Sequence, residues 1–152
     1  MTGHIYADRI AAYILKNFAS RGLVVYREVS LGKTIIGKNR HVDVFVIHPP
    51  TGHALAIECK YQDSNGTVDE KIPYAIQDMQ AMGMPVSLAY AGSGFSEGIL
   101  HMLAACPIAA FCQPPDSLDP CRETRELDVA LAMTFRWWDL VVMHKKPFAV
   151  PV

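Results

Sequence analysis

An α/β domain, a mixed β-sheet flanked by helices, is the fold class this sequence predicts. Three observations predict it. The chain opens with helical periodicity. Two β-branched, apolar strands follow, joined by proline and glycine turn chemistry. Beyond them, strands alternate with helical stretches, the pattern of parallel crossovers.

Residues 6–20 form the first helix, because Ile10, Ile14, Leu15 and Phe18 recur at helical spacing and Gly22 supplies a stop. Residues 23–30, rich in Val and Tyr, read as a strand. Residues 32–39 connect it onward, with Ile35-Ile36-Gly37 as a candidate hairpin extension. Residues 42–48 are β-branched and largely apolar on both faces, as a buried strand requires. Pro49-Pro50-Thr51-Gly52 is a turn, since proline fixes φ and glycine permits the left-handed corner. Residues 54–61 return as the partner strand of a hairpin. A polar loop covers 62–71, and a helix follows over 72–83. Pro73 suits its first turn, and Ile72, Ala75, Ile76 and Met79 form its apolar stripe. Next come a strand at 86–91, a Gly92-Ser93-Gly94 turn, a helix at 96–105 and a short strand at 108–112. After the proline-rich turn 113–120, a last helix runs over 122–139 with Leu127, Leu131, Phe135 and Trp138 on one side. The tail, 141–152, is apolar with Lys145 and Lys146 and suits packing on a second subunit.

With 152 residues, 51% apolar and 19% charged, the chain is expected to be a single domain over 1–152 with a proper core. That composition excludes an intrinsically disordered protein. The most apolar stretch, residues 99–112, is interrupted by His101 and falls short of a membrane span, so no membrane partner is expected. No secretory series opens the chain, and a cytoplasmic location is expected. Cys59, Cys106, Cys112 and Cys121 contain no C-x-x-C pair and suit small buried hydrophobes in a reducing compartment. The net charge of −1 argues against tight, unaided binding to DNA, although bound cations and a local basic face both offset it.

Charge in the wrong place carries the chemistry. Glu58 and Lys60 sit in an otherwise apolar strand, and residues i and i+2 project from one face. Ala54 and Ala56 precede them on that face and leave room above the sheet. Asp43 is a lone charge in the partner strand, which the hairpin brings near Glu58. A buried salt bridge is the plain alternative for any one of these residues. Together they leave excess negative charge, which a divalent cation balances. Carboxylate oxygens with water suit Mg²⁺, held by Asp43 and Glu58 with the backbone carbonyl of Cys59. Lys60 is then placed to orient water or to stabilise charge developing on a phosphate.

Asp43, followed after a 14-residue gap by Glu58-Cys59-Lys60 on a hairpin behind an amphipathic helix, resembles the PD-(D/E)XK nuclease superfamily. The resemblance covers about residues 5–91 and implies a restriction-endonuclease-like core of helix, three strands, helix and strand. Val42, not proline, precedes Asp43. The resemblance further implies Mg²⁺, with Mn²⁺ as a substitute, and a third acidic residue for which Asp8 and Glu28 are candidates. It also implies a polar residue from the helix after Lys60, where Tyr74, Gln77 and Gln80 are available and Gln77 is favoured as a catalytic residue.

Arg27, Lys33, Lys38, Arg40, His41 and Lys71 cluster in sequence around these strands and are candidate phosphate contacts. Gly92-Ser93-Gly94 lacks the spacing of a phosphate-binding loop and reads as a strand-to-helix turn. Trp137-Trp138 suits base stacking or the core. The leading expectation is a metal-dependent endodeoxyribonuclease, a homodimer or a subunit with a partner protein. The alternatives are a non-catalytic nucleic-acid-binding module on the same fold, and an unrelated α/β enzyme acting near Gly92.

Overall fold

The computed structural model describes residues 1–152. Its helices are α1 (Gly3–Phe18), α2 (Val68–Gln80), α3 (Glu97–Ala105), α4 (Arg125–Phe135) and α5 (Trp138–Val142). Its strands are β1 (Val24–Lys33), β2 (Asn39–His48), β3 (His53–Tyr61), β4 (Val86–Ala91) and β5 (Ala109–Phe111). They form one five-stranded sheet in the order β1-β2-β3-β4-β5. The first two pairings are antiparallel, the last two parallel, so the sheet is mixed as expected.

Strand alternation sorts the side chains into two cores. On one face, Val44 and Val46 of β2, Leu55, Ile57 and Cys59 of β3, and Ala89 and Ala91 of β4 pack against α1 and α4. On the other, Leu88 and Tyr90 pack against α2 and α3 through Ile72, Ala75, Met79 and Leu103. In α1 the buried stripe is Tyr6, Ala7, Ile10, Tyr13, Ile14 and Phe18, while Leu15 is exposed. Thr2 caps that helix, accepting from the Ile5 amide at 3.1 Å.

β1 and β2 extend into a ribbon over residues 33–39, closed by Thr34 N–H to Lys38 O at 2.8 Å, which is the hairpin extension expected around Ile35-Ile36-Gly37. Other element boundaries differ from those expected. Helix α2 begins at Val68, so Pro73 lies inside it; Asp69 and Glu70 favour the early start by complementing the helix N-terminus. The last helix is broken. Arg136 adopts φ +66°, ends α4 as a left-handed cap, and Trp138 starts α5 beyond it. Trp137 stacks on Phe18 and Phe135, whereas Trp138 is exposed. Cys59 and Cys112 are buried, and all four cysteines are free thiols.

Candidate metal centre and cleft

The β2–β3 ladder runs from His48 and His53 as far as Val44 and Ile57. Beyond that pair, the carboxylate of Asp43 enters the hydrogen bonding, and its Oδ2 accepts from the Cys59 amide at 2.8 Å. The Asp43 carbonyl accepts from the Arg27 guanidinium on β1. An acidic side chain is thus fixed where the two strands begin to separate. Because Val44 and Val46 face α1 and α4, Asp43 faces α2. Ile57 and Cys59 likewise leave Glu58 and Lys60 on the α2 face, as their sequence spacing requires. Asp43, Glu58 and Lys60 are therefore brought together on one side of the sheet.

Glu58 and Lys60 are each 21% exposed in their side chains, with Nζ 3.8 Å from Oε1. The Glu58 carboxyl is pushed up to about 9, first by burial, then by its hydrogen bond with Asp43 and the nearby Asp43 charge; Lys60 opposes the shift. The Glu58 carboxyl therefore holds its proton well above the usual carboxylate range, next to Asp43 and with the lysine beside it. Two carboxylates held this close repel when both ionise, and a divalent cation relieves that repulsion. The donor chemistry accordingly fits Mg²⁺, a hard ion that keeps several waters. No third Asp, Glu, His or Cys side chain completes a three-residue ligand set.

The two candidates for a third carboxylate are engaged by Arg27 and His4. Asp8 Oδ1 accepts from Arg27 Nε at 2.8 Å, and that contact holds its carboxyl below the usual range. Glu28 sits 3.4 Å from His4 Nδ1 with its backbone at φ +55°, which turns it away from the regular alternation. Both belong to an ion-pair cluster around Arg27 and His4.

A cleft of about 450 Å³ opens beside the carboxylates, lined by Glu58, Lys60, Lys71, Tyr74, Arg40 and Asp78, among others. Gln77 is exposed and is not among the residues that line it. Successive helix residues are rotated by about 100°, so Lys71, Tyr74 and Asp78 share the face that Gln77 leaves. Asp78 was not among the sequence candidates. Its signal was available: it lies three residues beyond Ala75 in an apolar stripe. Arg40 grips it in two hydrogen bonds, Nε to Oδ2 at 3.0 Å and Nη2 to Oδ1 at 2.8 Å, with both side chains nearly buried. Of the candidate phosphate contacts, Arg27 and Arg40 are thus committed to carboxylates. Lys33, Lys38 and His41 are exposed along the ribbon, and exposed Lys71 rims the cleft.

The glycine turn is structural. A Cβ on Gly92 would stand 2.1 Å from the Gln62 carbonyl oxygen, and the Gly94 amide donates to that oxygen at 2.8 Å.

A family model described as a PD-(D/E)XK nuclease superfamily domain matches residues 2–138. No curated protein sequence matches the chain. Two solved structures are similar to it. One is a protein of unknown function, 14% identical with a TM-score of 0.46, covering 84% of this chain and 66% of its own. The other is a repair endonuclease from Pyrococcus abyssi, 19% identical with a TM-score of 0.38, covering 67% of this chain and 44% of its own. This chain therefore spans less than two thirds of the length of either.

Proposed function

The chain belongs to the PD-(D/E)XK nuclease superfamily, and from that premise we propose that it is a metal-dependent endonuclease hydrolysing phosphodiester bonds of DNA through Asp43, Glu58 and Lys60. One observation carries the reading: Asp43, Glu58 and Lys60 lie on one face of the sheet, with Lys60 Nζ 3.8 Å from Glu58 Oε1, beside an open cleft. Buried charge of this kind is costly to keep without a use.

In this reading residues 1–152 act as one catalytic domain. Asp43 and Glu58, with the carbonyl of Cys59, hold Mg²⁺ or Mn²⁺. The Cys59 amide fixes the Asp43 carboxylate. A bound cation supplies Lewis-acid polarisation of the phosphate and a more acidic water. Lys60, a compact donor on a half-buried stem, orients the attacking water or meets charge developing on the phosphate oxygens. Lys71, Lys33 and Lys38 meet flanking phosphates. A homodimer, or a partner protein that supplies DNA affinity, would compensate for the chain's net charge of −1.

The test is incubation of the protein with supercoiled plasmid, branched DNA and single strands in Mg²⁺ or Mn²⁺, against EDTA. Cleavage confined to the metal-containing reactions is expected. Intact substrates throughout would replace the nuclease by a binding module or a partner-dependent subunit.

A further inference from the structure

At the tip of the β1–β2 ribbon, where turn residues are ordinarily polar, stand two adjacent branched aliphatics. Ile35 is 46% exposed and Ile36 61%. No acidic residue occurs between Lys33 and His41, a segment that also carries Lys38 and Arg40. Lys33 is engaged only by the neutral Asn39 Oδ1, at 2.7 Å, and Lys38 is exposed. The tip is thus apolar at its point and positive on its flanks, which complements stacked bases between phosphates.

Its placement is fixed. The β1–β2 register shifts between Ser30 and Lys33, with Gly32 at φ +65°, a bulge that bends the ribbon. Asp78 of α2 then ties the ribbon down, accepting from the Ile35 amide at 2.9 Å and from Arg40 twice. Thr34, Asn39, Arg40 and His41 of the ribbon line the same cleft as Glu58 and Lys60. A loop with no task beyond connection has no need of a nearly buried ion pair to hold its apex at the rim of that cleft.

We propose that Ile35 and Ile36 form an apolar wedge that enters between base steps of a duplex and unstacks them beside the phosphate held at Lys60. The proposal rests on the nuclease reading, and names duplex DNA distorted at the cleft as its substrate form. Aliphatic side chains inserted between base steps kink the duplex in minor-groove binders.

The test is binding of the full chain, in EDTA, to short duplexes carrying 2-aminopurine at successive positions. A severalfold rise in fluorescence at one or two adjacent steps is expected with the wild type. Ile35→Ser combined with Ile36→Ser should lose the rise yet bind within about threefold, since phosphate contacts supply most of the affinity. The corresponding pair of leucine substitutions should retain it. A rise that survives in the serine variant, or wild-type binding with no rise at any position, overturns the wedge. So does a serine variant that turns a sedimenting dimer into a monomer, because the tip is then an interface between copies. Absence of duplex binding by the wild type overturns it as well. Failure of the nuclease reading shows separately, as absence of metal-dependent cleavage by the wild type.

Discussion

A carboxyl group that keeps its proton to about 9 lowers stability at every pH where the unfolded chain would ionise it, and Glu58 is such a group. Between the ordinary carboxylate range and about 9, the folded protein binds more protons than the unfolded chain. Metal-free stability therefore falls as pH rises through that window. Glu58→Gln removes the slope, so its gain in unfolding free energy over wild type, measured by chemical denaturation in EDTA, should grow from pH 5.5 to pH 8.5, toward a few kcal/mol. A gain that does not change with pH would show that Glu58 ionises normally. Added Mg²⁺ should narrow the gap by stabilising only the wild type. These residues were legible in the sequence because lone charges in apolar strands are expensive, and because strand alternation fixes which face they share. Asp78 was not picked out, although the phase of its helix places it on the face of Lys71 and Tyr74; Gln77 lies exposed beside that face.

The ribbon and the broken C-terminal helix set the expectations for single elements. Arg40→Ala leaves the Asp78 carboxylate nearly buried without its partner, and should cost about 3–5 kcal/mol in chemical denaturation. Arg40 holds the Asp78 carboxyl below the usual range, so the pair stabilises above that range and the benefit is lost as pH falls through it. An Arg40→Ala cost that is undiminished in acid would contradict that role. Arg136, at φ +66°, holds a conformation that glycine adopts freely; Arg136→Gly should raise stability by about 1 kcal/mol. This break was not legible locally, because arginine is a good helix former. It is set by tertiary contacts: Trp137 stacks on Phe18 and Phe135, and Arg21 lies over the Trp137 ring. Strands β2 and β3 were legible because β-branched runs and a Pro-Pro-Thr-Gly turn leave one register that buries them.

At the scale of the whole molecule, helix order and strand direction followed from the sequence. The distribution of charge did not, because ion pairing depends on which elements meet. Arg27 and Arg40 are spent on Asp8 and Asp78, leaving Lys60 and Lys71 on the cleft and Lys33 and Lys38 on the ribbon whose residues also line it. Four cations release at most about four counterions, so log affinity for duplex DNA should fall against log salt with a slope of about −3.6 or shallower. A much steeper slope would place the DNA on another face. The claim on which the rest depends is that Lys60, with Asp43 and Glu58, cuts nucleic acid. Nicking of supercoiled plasmid in Mg²⁺ by wild type and Lys60→Ala, with folding checked by circular dichroism, tests it most directly. A loss of about a hundredfold or more in the variant, equal to that caused by EDTA, is the expected result. Cleavage that survives the substitution would place the chemistry elsewhere in the molecule.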